Sequence, residues 1–249
     1  MAERIEVESW LQARLQPDRF RDYGPNGLQV EGRSTVRRVA SGVTASLAFI
    51  DAAIAAGADT LFVHHGLFWR GHDGRLTGWL RERVARLIRH DINLFAYHLP
   101  LDAHEHWGNN AQFGQRLGLL ADARFGEQEL GFIGEAQALS SVQALATAVE
   151  QALGRMPTLL PGDGRSLRRI AWCTGGAQGY FEAAMAAGAD AFLTGELSEP
   201  QAHLARETGV AFLACGHHAT ERYGAPAVAA QLAQALGLEH EFIEIENPA

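Results

Sequence analysis

Short apolar runs alternate with alanine-rich amphipathic stretches along most of this chain, and the alternation repeats. "RRVASGVTASLAFIDAAIAAGADTLFVHHG", from Arg37, aligns without a gap with "RRIAWCTGGAQGYFEAAMAAGADAFLTGEL", from Arg168, and ten of the thirty positions are identical. Each copy opens on a strand-type run, carries a helix packed through alanine, turns at Gly-Ala-Asp and ends on a second apolar run. This pattern predicts a β-α-β unit in each copy, hence parallel strands covered by helices. The likeness continues more loosely. "INLFAYHLPLDAHEHWG", from Ile92, answers "VAFLACGHHATERYG", from Val210; each is an apolar strand opening into a loop with histidine and acid, then an aromatic residue and a glycine.

Helix patterns fill the intervals: "TGWLRERVARLIRHD" in the first half and "SEPQAHLARETG" in the second. "SSVQALATAVEQALG" opens with a capping-box arrangement, Ser140 with Gln143, and belongs to the second half. The expectation is an α/β fold of two similar three-layer lobes from an internal duplication, residues 1–125 and 126–249, joined near 121–130.

Composition narrows the chemistry. A hydrophobic share of 47% and a charged share of 20% suit a globular enzyme of 249 residues. The net charge of −8 argues against a surface that coats nucleic acid. All 21 basic residues are arginine. Without lysine there is no Schiff-base chemistry, no P-loop lysine and no lysine general base. Cys173 and Cys215 lie outside any C-x-x-C pair and read as reduced core thiols. The N-terminal stretch is charged and helix-patterned, and no window approaches about 18 continuous apolar residues. The expected location is cytoplasmic, with no membrane partner.

The candidate chemistry sits at three strand ends: "HHG" with His64 and His65, "YHLPLDAH" with His98 and Asp102, and "GHHATER" with His217, His218 and Glu221. In open α/β sheets ligands bind beyond the carboxyl ends of the strands. Imidazoles with carboxylates suit zinc, iron, manganese or nickel. His217 and Glu221 share a face if their segment is helical. Five ligands drawn from such a set exceed a closed tetrahedral site and suit two ions sharing a carboxylate, an arrangement that activates water for hydrolysis. His72, His90, His203 and His240 read as surface or helix-end residues, and His104 and His106 as rim residues. In the second copy Gly195 and Glu196 replace the histidine pair. Glu196 either lines the site or charges the next helix N-terminus.

"DYGPNGLQVEG", "VHHGLFW", "HLPLDAHEHWGNNA", "TGELSE" and "GHHATER" together resemble the Nif-three-like family, whose members are often labelled GTP cyclohydrolase 1 type 2 homologues. The resemblance spans nearly the whole chain. It implies two related α/β lobes, a dinuclear metal centre between them and a ring-shaped homohexamer. Carried onto this sequence, the ligands fall on His64, His65, Asp102, His217 and Glu221. The implied division is His65 and Asp102 on one ion, His64 and His217 on the other, with Glu221 bridging. The resemblance places the Pro25-Asn26-Gly27 loop near the site. Asn109 and Asn110 cap a helix, with an amide orienting Asp102 as a further role.

The leading expectation is a metal-dependent hydrolase with two divalent transition-metal ions per chain, Glu221 at its catalytic centre and a small-molecule substrate. The resemblance points to opening of the purine ring of a nucleotide. The alternative is a ring-shaped scaffold or single-stranded nucleic-acid binder with structural or regulatory metals. "RLTGWLRERVARLIRH" would be its basic face, unless it is a solvated helix with charge pairs four residues apart.

Overall fold

The computed structural model describes all 249 residues, which form two compact units: Met1–Gly108 with Gly224–Glu246, and Asn109–Tyr223 with Asn247–Ala249. In the first unit, β1 (Ala2–Glu3) leads into α1 (Arg4–Leu15), which buries Val7, Leu11 and Leu15. Then come β2 (Gly27–Val30), β3 (Thr35–Val36), β4 (Arg38–Thr44), α2 (Leu47–Ala55), β5 (Thr60–His65), α3 (Gly78–Arg89), β6 (Asn93–Ala96) and α4 (Leu99–Ala103). β1 pairs with β3 in a small ribbon. β4, β5 and β6 are parallel, and β2 lies antiparallel beside β6. Leu61 and Val63 pack with Phe49 and Ile50 of α2 and with Val84 and Leu87 of α3. Phe62, between them, packs with Val7 and Leu11 of α1. Successive strand residues point to opposite faces, so a sheet apolar on both is covered by helices on both, giving three layers.

The second unit runs α5 (Asn109–Arg116), β7 (Ala123–Phe125), β8 (Gly131–Glu135), α6 (Val142–Leu153), β9 (Thr158–Leu160), β10 (Arg169–Trp172), α7 (Phe181–Ala186), β11 (Ala191–Thr194), α8 (Glu199–Thr208), β12 (Ala211–Ala214) and α9 (His217–Glu221). Its sheet order is β7-β8-β10-β11-β12-β9, with β10, β11 and β12 parallel and the outer strands antiparallel. Ile170, Trp172, Leu193 and Leu213 pack with Leu145, Val149 and Leu153 of α6 on one face. Phe192 and Phe212 pack with Phe181 of α7 on the other. The chain then returns to the first unit as α10 (Gly224–Leu236) and β13 (Glu239–Phe242).

That return is where the molecule differs from the expected split at 125/126. β13 pairs in parallel with β4, and the side chains of the paired residues Glu239 and Arg38 also form an ion pair. Val228, Ala229 and Leu232 of α10 enter the same cluster as Leu11 and Phe62. The first sheet is therefore five-stranded, β13-β4-β5-β6-β2. The earlier end of the first segment, at Gly108, assigns α5 to the second unit, where Phe113 packs with Trp172.

The two Gly-Ala-Asp turns do the same work in each unit. Gly57 and Gly188 take left-handed backbone conformations just past the ends of α2 and α7, at φ 73° and 85°. The buried Asp59 carboxylate accepts the amides of Arg37 and Arg38, and Asp190 accepts those of Arg168 and Arg169. Each carboxylate thus ties the start of one parallel strand to the start of the next.

Local expectations hold with small shifts. The cap of α6 is Ser141, whose hydroxyl accepts the Ala144 amide, one residue later than the expected Ser140. The arginines of α3 are largely occupied: Arg86 pairs with Asp51 and Glu82, Arg81 with Glu82, and Arg83 lies over Trp79. The Arg86–Glu82 pair, four residues apart, is the kind of contact a solvated helix makes. Both cysteines are buried and unbridged. No helix is long and apolar enough to cross a membrane.

Candidate metal centre

In the first unit β5 ends at His65, and the two adjacent rings turn together with centroids 4.5 Å apart. His64 is fully buried; its Nδ1 donates to the Tyr97 carbonyl at 3.1 Å, so Nε2 is the nitrogen it can offer an ion. His64 Nε2 lies 3.4 Å from Oδ1 of the buried Asp102. His65 Nδ1 lies 3.1 Å from the Thr44 hydroxyl, across the β4–β5 pairing. Within this unit Asp102 thus stands against His64. α4 supplies Asp102 and, as its N-cap, His98. One ring nitrogen from each of His64, His65 and His98 lies within 4.8 Å of the others.

The loop after α1 is built around this cluster. Asp22 Oδ1 accepts from His98 Nδ1 at 2.6 Å, and Asp22 Oδ2 accepts from Asn26 Nδ2 and the Leu99 amide. Burial works to raise the Asp22 pKa, but these hydrogen bonds and the His98 charge together hold it below its ordinary value. Gln29 accepts the Leu67 amide and fills the space over Gly66, which fixes the chain as it leaves His65.

In the second unit α9 carries His217 and Glu221 on one face, as the four-residue spacing predicted, with His217 Nε2 3.1 Å from Glu221 Oε2. Glu196 accepts from His217 Nδ1 at 2.6 Å. The hydrogen bond to Glu221 is the main influence lifting the His217 pKa to about 9, against desolvation and with help from Glu196. Glu221 is 3% exposed, against the left-handed Gly175, where a Cβ would stand 1.9 Å from its Oε1. Gly195, the counterpart of His64, has no room for a side chain because a Cβ there would meet Gly175 and His217 backbone.

The donors in both units are imidazole nitrogens and carboxylate oxygens, the set that divalent transition metals take. A deeply buried carboxylate such as Glu221 is tolerated where a cation offsets its desolvation. Sequence reasoning missed Asp22 and left His98 without a role. The signal was the "DYGPNG" loop, but the partner of Asp22 is 76 residues away. Asn110 accepts the Thr174 amide and donates to the Leu130 carbonyl. His240, expected at the surface, is a half-buried strand residue bonded to Ser41. His104 stacks on Trp107 and accepts the amides of His106 and Trp107, a role within its own turn.

Two three-layer α/β units, one ending a strand in a histidine pair and the other presenting His-x-x-x-Glu on a short helix, define a class of proteins with clustered metal-type ligands. The family model described as Duf34/NIF3 (NGG1p interacting factor 3) matches residues 2–248, and the chain belongs to that family. A relative from Neisseria meningitidis serogroup A, named GTP cyclohydrolase 1 type 2 homolog, is 50% identical over 249 residues, covering 100% of both chains. The solved structure of a protein called ybgI, described as of unknown function, matches with a TM-score of 0.95 at 43% identity over 100% of both chains. TTHA1606 from Thermus thermophilus matches with a TM-score of 0.87 at 33% identity, again over 100% of both chains.

Proposed function

We propose that this chain is a dinuclear metal-dependent hydrolase in which His64, His65, Asp102, His217 and Glu221 together hold two divalent transition-metal ions. The observation that carries the proposal is how the donors are fixed. His64 and His217 each have Nδ1 held by a protein oxygen, the Tyr97 carbonyl and the Glu196 carboxylate, which is how proteins set metal-ligating imidazoles. His64 and Asp102 would hold one ion, His65 and His217 the other, and the buried Glu221 would be the shared carboxylate. Bound ions would supply Lewis acidity for activating water and for stabilising charge that develops on the substrate.

The names of the relatives support a purine nucleotide as substrate and its ring opening as the reaction. The test is incubation of metal-loaded protein with GTP and other purine nucleotides, followed by chromatography and loss of the purine chromophore. Turnover that disappears in Glu221→Ala, while the variant stays folded, is the expected result. Two bound metals without turnover of any purine nucleotide would contradict it. The resemblance further implies a homohexamer, for which sedimentation should return six times the 27.0 kDa chain mass.

A further inference from the structure

His98 stands outside the ligand set above, yet its surroundings copy those of His217. In the second unit α9 follows the third parallel strand, β12; it carries His217 with Glu221 four residues on, and Glu196 holds His217 Nδ1 at 2.6 Å. In the first unit α4 follows the third parallel strand, β6; His98 is its N-cap, Asp102 is four residues on, and Asp22 holds His98 Nδ1 at 2.6 Å. The copies differ by one residue in the link from strand to histidine. A gapless alignment from Ile92 and Val210 therefore sets His98 against Gly216 and hides the match.

We propose that His98 is a metal ligand, the first unit's counterpart of His217, and that Asp22 is the carboxylate that positions it. The proposal rests on the metal-centre reading and deepens it. With Nδ1 donating to Asp22, the lone pair of the neutral ring is on Nε2. One nitrogen from each of the three imidazoles His64, His65 and His98 lies within 4.8 Å of the others, so His98 is close enough to join the ligands of the ion held by either neighbour. The investment around this ring is heavy. The Asp22 side chain is 4% exposed and accepts from His98, Asn26 and the amides of Tyr23 and Leu99. Asn26 in turn accepts the His98 amide at 2.7 Å. Trp69 meets the ring edge-on at 5.1 Å and also flanks His65 at 5.9 Å. The "DYGPN" turn therefore serves to lock one imidazole beside the histidine pair. With His98, the first unit alone has four donors: His64, His65, His98 and Asp102.

The test uses full-length protein stripped by chelator and titrated with Co(II), read by visible absorption, chelator competition and an X-ray absorption count of imidazole ligands. His98→Ala should lose one imidazole from the count, alter the Co(II) bands and weaken binding at least tenfold. Asp22→Asn should weaken binding by about 10–100-fold with the imidazole count kept. His203→Ala, on an exposed ring paired with Glu199, should match the unmodified chain. A folded His98→Ala protein with unchanged count, bands and affinity would overturn the proposal while leaving the five-ligand centre standing. Unmodified protein that takes up no Co(II) would overturn both. If His98→Ala does not fold, Asp22→Asn decides: unaltered affinity and bands would overturn the proposal.

Discussion

Gly175 and Glu221 are packed so closely that the glycine is part of the site: a Cβ on residue 175 would stand 1.9 Å from Glu221 Oε1. The residue also holds φ at +71°, a conformation side chains rarely adopt. Gly175→Ala should therefore displace the Glu221 carboxylate and cost about 1 kcal/mol or more of stability from backbone strain alone. Chemical denaturation and metal content read the two effects separately. A variant with normal stability and full metal content would show that the glycine is not needed there.

Glu196 acts on the site through one hydrogen bond, to His217 Nδ1. Glu196→Gln should leave the fold intact and weaken metal binding by about 10–100-fold. Chelator competition measures this directly. Unchanged affinity would mean that Glu196 only charges the start of α8.

The pH dependence follows from His217. Its pKa in the folded, metal-free chain is lifted to about 9, from an ordinary value of 6.5, chiefly by its hydrogen bond to Glu221. The folded state thus holds this proton more tightly than the unfolded chain. The resulting stability is complete below about pH 6.5 and is lost as pH rises through about 9. Metal must displace the same proton, so affinity should rise across that window and proton release should accompany binding. Thermal melts of chelator-treated protein at the two ends of the window, with and without Glu221→Gln, check the sign. A variant with the same pH profile as the unmodified chain would contradict the assignment.

Asp59 and Asp190 are expected to matter for stability and not for metal. Asp59→Ala leaves the Arg37 and Arg38 amides without their carboxylate, and Asp190→Ala does the same to Arg168 and Arg169. Each should cost about 1–3 kcal/mol. Denaturation midpoints test this, with metal content as the control.

The parts legible in the sequence were those set by local pattern. The Arg37 and Arg168 repeats announced the parallel strands because each run of side chains meets helices directly before and after it. The His217–Glu221 spacing announced its helix face for the same reason. What could not be read was pairing at a distance. Nothing local in "LEHEF" says that Glu239 will lie beside Arg38, and the short outer strands, such as Thr158–Leu160, carry too few residues for a period to show. Asp22 was missed likewise, since only the folded chain brings it to His98. Pairing His64 with Asp102 needed coordinates too, because adjacent histidines at a strand end look alike in sequence.

The most direct measurement is metal content per chain by elemental analysis, on protein purified without chelators, beside His64→Ala and Glu221→Ala. About two transition-metal ions per chain, falling in both variants, is the expected result for a paired-ion site with two ligand pairs and a shared carboxylate. Substoichiometric metal that is the same in all three proteins would contradict the metal centre itself.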